Sequence, residues 1–268
     1  MDKRVWKSIG SCVKGASHVR NGMPCQDALR VERAKDCHIV AISDGHGSAS
    51  CPYSDEGARV AVDTACAVFA SIINKGDPFT TISSNKDIWL PKQIEQKWKS
   101  TVSDLHAVKG REEEFSYELY GATLLAMVVS DDFVFALQLG DGDILSVNEG
   151  VDWFIPPDGG LGPETNSLCQ DDCWQYMKTR IIPLPPGEAG PMFMLSTDGY
   201  ANSFSSDSGF KQAGSDFYGL WKDEGPGYIE ENLNGWLMES SAQGSGDDIA
   251  LALILDCHLD YHSEQTEK

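Results

Sequence analysis

Residues 41–49 read AISDGHGSA, a stretch that places an acid, a histidine and two glycines directly after an apolar run. The run itself, CHIVAIS at 37–43, is short and is followed by Asp-Gly, which is typical of a buried strand. A similar junction recurs at MFMLSTDG, where Asp198 ends an apolar run, and ALQLGDGD around Asp141 is a related case. The question is whether these junctions are separate turns or parts of one site.

The bulk composition limits the classes of function. The chain has 268 residues, 41% of them hydrophobic, and a formal net charge of -20. This length fits one large domain or two small ones, and because no linker is apparent we predict a single domain over 1–268. The negative charge argues against nucleic acid and against anionic membranes as partners. Eight scattered cysteines without a CxxC pair, and no apolar signal segment, predict a cytoplasmic protein.

The apolar pattern predicts an α+β fold. Helices are expected over 54–73 and from Pro91, and again over 210–221 and 228–239. Strands are expected at 5–13, 37–43, 122–129, 133–139, 144–147, 151–155, 179–182, 192–196 and 249–255. Because the helices are grouped instead of alternating with single strands, layered α+β packing is favoured over a doubly wound parallel sheet. The Pro- and Gly-rich stretch 156–175 is expected to be a flap beside a site.

The acids at the strand ends admit two interpretations. Asp-Gly is the commonest turn dipeptide, and LQLGDGDILSV (137–147) on its own predicts a hairpin. The joint pattern favours a site, because burying a bare carboxylate after an apolar run is costly unless a cation pairs with it. If the strands lie side by side, Asp44, Asp141 and Asp198 converge at one sheet edge. Hard oxygen ligands in such a cluster select Mg²⁺ or Mn²⁺.

Six short motifs follow one another along the chain. They are QDA (26–28), SDGHG (43–47), GAT (121–123), LGDGD (139–143), STDG (196–199) and GDDIALALI (246–254). As a series they resemble the metal-dependent protein phosphatase 2C family, and SHVRNGMPCQDA (17–28) resembles a bacterial subgroup of it. The resemblance implies a four-layer α-β-β-α sandwich, in which two packed antiparallel sheets carry helices on both outer faces.

The resemblance also implies a metal site. Asp44 would bridge two metal ions, and the carbonyl of Gly45 would bind one of them. The remaining ligands implied are Asp27, Asp141, Asp198 and Asp247, with Asp141 serving a third, weaker ion. Gln26 replaces an acid that is usual in the family and could hold a metal-bound water. The cofactor implied is therefore Mn²⁺ or Mg²⁺, as two ions or three.

The activity implied is hydrolysis of phosphoserine and phosphothreonine in proteins. Two divalent ions about 3.5–4 Å apart can acidify a bridging water that attacks phosphorus in line. Besides Asp44, His46 is the predicted catalytic residue, as the general acid for the leaving oxygen. The partners implied are a phosphorylated protein and a cognate serine/threonine kinase.

Besides Gln26, three further positions depart from the family pattern. Gly22 stands where an arginine usually binds the substrate phosphate, so Arg20, or else His18, is the predicted phosphate ligand. Asp143 stands where an arginine is usual, and Asn202 where an acid is often found. These departures keep open a second function, a catalytically weak module that binds phosphoproteins or regulates a partner. A third candidate is a metal hydrolase for small phosphorylated molecules.

Overall fold

The computed structural model describes residues 4–157 and 165–257, and within these ranges the strands form two five-stranded antiparallel sheets. In spatial order, the first sheet contains β1 (Trp6–Val13), β10 (Ile249–Asp256), β9 (Met192–Ser196), β6 (Asp143–Val147) and β7 (Val151–Trp153). The second sheet contains β2 (Ala28–Ala34), β3 (Cys37–Ser43), β4 (Leu124–Val129), β5 (Phe133–Leu139) and β8 (Lys178–Pro183). The centre of the predicted flap, 158–164, lies outside the described residues.

Helices cover both outer faces of the paired sheets. The α-helices of the described ranges are α1 (Ala16–Asn21), α2 (Ser54–Lys75), α3 (Pro78–Asn85), α4 (Trp89–Val108), α5 (Asp198–Ala201) and α6 (Asp207–Gln243). Helix α2, with α4 beside it, packs on the second sheet, and α6 packs on the first. This order of layers confirms the predicted α-β-β-α sandwich of the α+β class. None of these helices has the length and apolar composition needed to cross a bilayer.

Strand β3 shows why its sequence is apolar at nearly every position. Ile39 and Ala41 belong to the core beneath helix α2, whereas Val40 and Ile42 belong to the core between the two sheets. Successive side chains of a strand point to opposite faces, so a strand buried on both faces must be apolar throughout. All four side chains are fully buried, and the burial of each of the larger ones, Ile39, Val40 and Ile42, contributes about 1.5–3 kcal/mol.

Helix α2 lies close to its neighbours because small residues form its contact face. Ala61 and Ala65 are fully buried there. A Cβ atom at Gly57 would lie 1.9 Å from the carbonyl oxygen of Tyr120, so no larger residue fits at this point. The Gly57 carbonyl also accepts a hydrogen bond of 2.9 Å from Trp98 Nε1 of α4. The first turns of α2 are thereby held against the segment that leads into β4.

The two helices predicted over 210–221 and 228–239 are the two arms of one broken helix, α6. At Gly225 the backbone leaves the helical conformation, with φ 78° and ψ 170°. Pro226 follows, and its missing N–H and fixed φ suit the first turn of a new helical arm. Both arms bury apolar side chains against the first sheet. The predicted helices are therefore confirmed, and the break lies between them.

The predicted hairpin at 137–147 is wrong. This segment joins β5 to β6, and these strands lie in different sheets. Strand β5 pairs with β4 and β8, while β6 pairs with β7 and β9. The connection crosses between the sheets through Gly140, whose φ of 101° disfavours any side chain. Both strands are almost entirely buried, so their apolar pattern does not indicate which sheet each one joins.

The apolar pattern does not predict β2, α1 or α3. Strand β2, ALRVERA, carries three charged residues and lies at the edge of the second sheet, where charged side chains are common. Helix α1 has six residues and α3 has eight, too few for a clear helical period. Helix α4 begins at Trp89, slightly before the predicted start at Pro91. Short elements and edge strands are therefore where the sequence pattern is least informative.

Candidate metal centre

Five aspartates line one cavity of about 290 Å³ at one end of the sandwich: Asp44, Asp141, Asp198, Asp247 and Asp248. Asp44 follows β3 of the second sheet. Asp198 follows β9, and Asp247 precedes β10, both in the first sheet. The predicted convergence at the edge of a single sheet is therefore wrong. The acids meet between the two sheets, because strand ends from both sheets open on the same end of the sandwich.

Three of these acids form the tightest group. One carboxylate oxygen from each of Asp44, Asp141 and Asp198 lies within 4.8 Å of the other two. The Oδ2 atom of Asp141 accepts a hydrogen bond of 2.6 Å from Thr165 Oγ1. Asp247 lines the same cavity with a half-exposed side chain. Four of the five predicted carboxylate ligands are thus gathered in one place.

Asp27 is buried beside Asp44 and is not among the described residues that line the cavity. Its Oδ2 atom accepts a hydrogen bond of 2.7 Å from Thr197 Oγ1, and its side chain also hydrogen-bonds to that of Asp44. Burial raises the pKa of Asp27 to about 8, although the Thr197 hydrogen bond opposes the shift. Asp27 is therefore coupled to the cluster through Asp44, and its role as a metal ligand stays a prediction.

The loop that carries Asp44 is clamped by the GAT motif at 121–123. The Asp44 N–H donates to Thr123 Oγ1 at 3.0 Å, and the Thr123 N–H donates back to the Asp44 carbonyl at 2.8 Å. The His46 N–H donates to the Gly121 carbonyl at 3.1 Å. These bonds extend the pairing of β3 with β4 by a few residues. The two motifs therefore form one unit that fixes the positions of Asp44 and His46.

Gly45 is required by the close packing around it. A Cβ atom at this position would lie 2.6 Å from the Ser54 carbonyl oxygen and 2.9 Å from that of Gln26. The Gly45 N–H donates to the Gln26 carbonyl at 3.1 Å, and Gln26 Nε2 donates to Ser54 Oγ at 3.2 Å. Gly45 and Gln26 both line the cavity. Binding of a metal by the Gly45 carbonyl stays a prediction.

The electrostatics of the cavity favour a bound cation. Burial, followed by the charges of Asp27 and Asp198, raises the pKa of Asp44 well above its usual value. Burial and the charges of Asp141 and Asp247 raise the pKa of Asp198 to about 6. Among the described residues that line the cavity, none is a lysine or an arginine. Crowded hard oxygen donors without a cationic side chain are the donor set that Mg²⁺ and Mn²⁺ prefer, so these residues fit such ions.

His46 lies between the acid-lined cavity and a larger groove of about 740 Å³. Thr165 also lines both spaces. Burial lowers the pKa of His46, and the charge of Asp141 opposes that shift. The histidine is thus placed beside the acid cluster, as predicted for a proton donor. A phosphate dianion arriving in the cavity would add negative charge and favour its protonated form.

The predicted phosphate ligand Arg20 is exposed on α1 and is not among the described lining residues of the cavity. Gly22, which replaces the usual arginine, is the exposed C-cap of the same helix, with φ 68°. His18, the alternative ligand, does line the cavity. The geometry therefore favours His18 over Arg20 as the residue of this segment that acts in the site.

The other two departures from the family pattern also lie at the acid cluster. Asn202 Nδ2 donates a hydrogen bond of 2.9 Å to Asp198 Oδ2, which holds the carboxylate where an acid would repel it. Asp143 is buried at the start of β6. Burial, aided by the charges of Asp141 and Asp198, raises the pKa of Asp143 to about 7. Asn202 thus supports the predicted ligand, whereas Asp143 adds another acid to a crowded region.

Asp248 is an acid of this site that sequence reasoning missed. It is 3% exposed and lines the cavity beside Asp247. Its Oδ1 atom accepts a hydrogen bond of 2.6 Å from the Gly15 N–H, and its Oδ2 atom accepts one of 2.6 Å from the Gln26 N–H. The only sequence signal was the doubled acid in GDD. Asp248 joins the N-terminal SHVRNGMPCQDA segment to the C-terminal GDD segment.

Comparison with known proteins places the chain in a family. A family model described as Protein phosphatase 2C matches residues 14–238. Serine/threonine-protein phosphatase 3 of Escherichia coli (strain K12) is 24% identical over 181 residues, which are 65% of this chain and 67% of that protein. Because the family model covers most of the chain, the chain belongs to the protein phosphatase 2C family.

Solved structures share the fold. The serine/threonine phosphatase Stp1 from Staphylococcus aureus superposes with a TM-score of 0.64 at 14% identity, covering 95% of this chain and 97% of that one. The catalytic domain of the serine/threonine protein phosphatase PstP, in complex with two manganese ions, superposes with a TM-score of 0.60 at 14% identity, covering 94% and 98%. At this level of identity the likeness supports the sandwich fold alone.

Proposed function

We propose that this protein is a Mn²⁺- or Mg²⁺-dependent phosphatase of phosphoserine and phosphothreonine in proteins. Membership of the protein phosphatase 2C family supports the reaction class. The observation that carries the proposal for this chain is the meeting of Asp44, Asp141 and Asp198, whose carboxylate oxygens lie within 4.8 Å of one another. Separate turns would not bring acids from two sheets into one cavity.

The residues that would hold the ions are those of the acid cavity. Asp44 is central, and Asp27 lies behind it. Asp198 and Asp247 lie on the side of the first sheet, and Asp141 lies at the crossing between the sheets. When bound, divalent ions neutralise the phosphoryl oxygens and lower the pKa of water. The protein's own part is to hold these acids at fixed positions, through the GAT clamp on Asp44 and the Asn202 hydrogen bond to Asp198.

His46 would complete the reaction on the side of the leaving group. Cleavage of the phosphorus–oxygen bond leaves an alkoxide on the substrate serine or threonine, which is a poor leaving group until it is protonated. The His46 ring lies between the acid cavity and the groove, and its backbone N–H is fixed by Gly121. We assign to His46 the transfer of a ring N–H proton to that oxygen.

The groove beside the cavity supports a protein substrate over a small phosphorylated molecule. Its volume of about 740 Å³ exceeds that of the acid cavity, about 290 Å³, and His46 and Thr165 belong to both. A phosphorylated side chain could reach the acid cavity while its flanking peptide lies in the groove. A serine/threonine kinase would supply such substrates. Location in the cytoplasm, and a single catalytic domain over 1–268, stay predictions.

The second candidate function is a catalytically weak module that binds phosphoproteins. It is favoured by Gly22 in place of the usual arginine and by the absence of lysine and arginine from the described lining of the cavity. Such a site could bind metal and still hold a phosphate poorly. The predicted acids remain together, however, which favours the enzyme.

Phosphate release separates the two candidates. We would measure hydrolysis of p-nitrophenyl phosphate and of a phosphothreonine peptide with Mn²⁺, with Mg²⁺ and with a chelator, for the wild type and for Asp198→Ala. The enzyme predicts metal-dependent turnover of both substrates that is abolished by the substitution. Release of no phosphate from either substrate, by folded protein with bound Mn²⁺, would reject the enzyme in favour of the binding module.

A further inference from the structure

His18 and Asp248 form a hydrogen-bonded pair at the rim of the acid cavity. His18 Nδ1 lies 2.9 Å from Asp248 Oδ2, and both residues line the cavity. The His18 side chain is 19% exposed and that of Asp248 only 2%. The pair belongs to the SHVRNGMPCQDA and GDD segments, and apart from the alternative prediction that His18 binds phosphate, the proposed reaction gives the pair no chemical role.

The surroundings of Asp248 fix the orientation of the imidazole ring. Asp248 already accepts backbone N–H bonds from Gly15 and Gln26, and a carboxylate can only accept, so His18 Nδ1 is the donor in their contact. Helix α1 is docked independently, because Ser17 donates from both its N–H (2.8 Å) and its Oγ (2.6 Å) to the Gly246 carbonyl. The ring therefore has one nitrogen committed to Asp248 and the other directed elsewhere.

The other ring nitrogen faces a predicted metal ligand. His18 Nε2 lies 3.7 Å from Asp247 Oδ1. This separation is less than the sum of two metal–ligand bonds of about 2.1 Å each, so both atoms can contact the same ion. A histidine that donates one N–H to a carboxylate and offers the other nitrogen to a metal is a recurring arrangement in metalloproteins.

We propose that His18 Nε2 is a nitrogen ligand of the ion held by Asp247, with Asp248 as the residue that positions the ring. The inference rests on the proposed function in that it assumes a divalent ion in the acid cavity. One imidazole among carboxylates raises affinity for Mn²⁺ more than for Mg²⁺, because Mg²⁺ prefers oxygen ligands. His18 would thus make this site selective for manganese. The competing role is that of a counter-ion, in which His18 only balances the charges of Asp247 and Asp248.

Electron spin-echo spectroscopy of the Mn²⁺-loaded full chain tests ligation directly, because a bound imidazole gives a ¹⁴N coupling to the manganese spin. His18 and His46 are the histidines among the described residues that line the cavity, so His46→Gln is the matched control. We expect the coupling in the wild type and in His46→Gln, and its loss in His18→Gln. A spectrum without ¹⁴N coupling in the wild type, or loss of the coupling in His46→Gln, would overturn the proposal even if His18→Gln failed to fold.

Calorimetric titration with the two metals gives the second measurement. His18→Gln should weaken Mn²⁺ binding by about tenfold or more and Mg²⁺ binding by clearly less. Unchanged or tighter Mn²⁺ binding in this variant would identify His18 as a counter-ion and overturn the proposal. Failure of the inference remains distinct from failure of the proposed function. A wild type that binds Mn²⁺ and releases phosphate without a ¹⁴N coupling contradicts only the role of His18, whereas a wild type that binds no Mn²⁺ contradicts both.

Discussion

Two cavities at opposite ends of the sandwich are lined by similar numbers of acids among the described residues, five and four, and differ in what surrounds these acids. Strand β3 begins near a cavity of about 360 Å³ at the far end and finishes at the acid cavity of about 290 Å³. The acids that line the far cavity are Asp36, Asp77, Asp131 and Asp132. Lys35 also lines it, whereas the acid cavity has no lysine or arginine among its described residues.

Asp77 shows how an acid at the far end is stabilised. It caps helix α3, accepting a hydrogen bond of 3.1 Å from the Thr80 N–H, and hydrogen bonds from Thr80 lower the pKa of Asp77. Asp44 has the opposite environment, because burial and neighbouring carboxylates raise its pKa. The comparison shows that the number of acids alone does not mark a site. Mutual crowding of the acids, without hydrogen bonds that stabilise each one separately, does.

The largest expected effect comes from substituting one acid at each end. Asp44→Asn should reduce phosphate release by on the order of 10³-fold, because metal-assisted steps depend on several kcal/mol of charge stabilisation. Asp77→Ala should retain activity and lower the urea concentration at the unfolding midpoint, because helix α3 loses its N-cap. Steady-state kinetics and urea unfolding measure the two effects. Comparable activity losses in both variants would remove the distinction between the ends.

The next effect concerns His46. His46→Gln should lower kcat by about 10²-fold for a phosphothreonine peptide, whose leaving oxygen needs a proton. It should lower kcat much less for p-nitrophenyl phosphate, because nitrophenolate leaves without protonation. Parallel kinetics on both substrates provide the measurement. An equal loss on both would show that His46 acts in binding or folding and does not serve as the general acid.

A smaller effect is expected in the stability of the metal-free protein at different pH values. The pKa values of Asp27, about 8, and Asp198, about 6, are raised above those of an unfolded chain, about 3.9. The folded state therefore binds more protons between about pH 4 and 8. The stabilisation that these groups contribute is fully present at about pH 4 and is lost as the pH rises towards about 8. Urea unfolding in chelator should show a flatter pH dependence for Asp198→Asn than for the wild type, and parallel curves would contradict the crowding argument.

The smallest effect is expected in the groove. Lys99 Nζ of α4 donates to the Gln170 carbonyl at 2.9 Å and to the buried Glu95 at 2.7 Å, which anchors the segment that lines the groove. Lys99→Met should raise KM for a phosphopeptide several-fold with little change for p-nitrophenyl phosphate, since only the peptide needs the groove. Lys97→Met, at an exposed position of the same helix, is the matched control. A uniform decline on both substrates would mean that the anchor supports the fold and not substrate binding.

Much of this fold follows from local patterns in the sequence. The strands at 37–43, 133–139 and 192–196 have the predicted bounds, because each is a short apolar run bounded by polar or turn residues. The crossing at 140–142 could not be predicted, because strands buried on both faces carry no sign of which sheet they join.

The residues of the site likewise differ in how far the sequence predicts them. Asp44 and Asp198 stand out in the sequence, since each ends an apolar run. Asp247 was expected from the family resemblance and lies in the cavity as expected. The role of Asp248 depends on backbone N–H groups more than 200 residues away, at Gly15 and Gln26, which no local pattern records.

The central claim is that carboxylates from both sheets hold divalent ions together, and diffraction from crystals soaked in Mn²⁺ tests it most directly. Anomalous difference maps should show two manganese peaks in the acid cavity, with Asp44 in contact with both and Asp198 in contact with one. An acid cavity without manganese, in crystals of protein that releases phosphate when Mn²⁺ is added, would contradict the account.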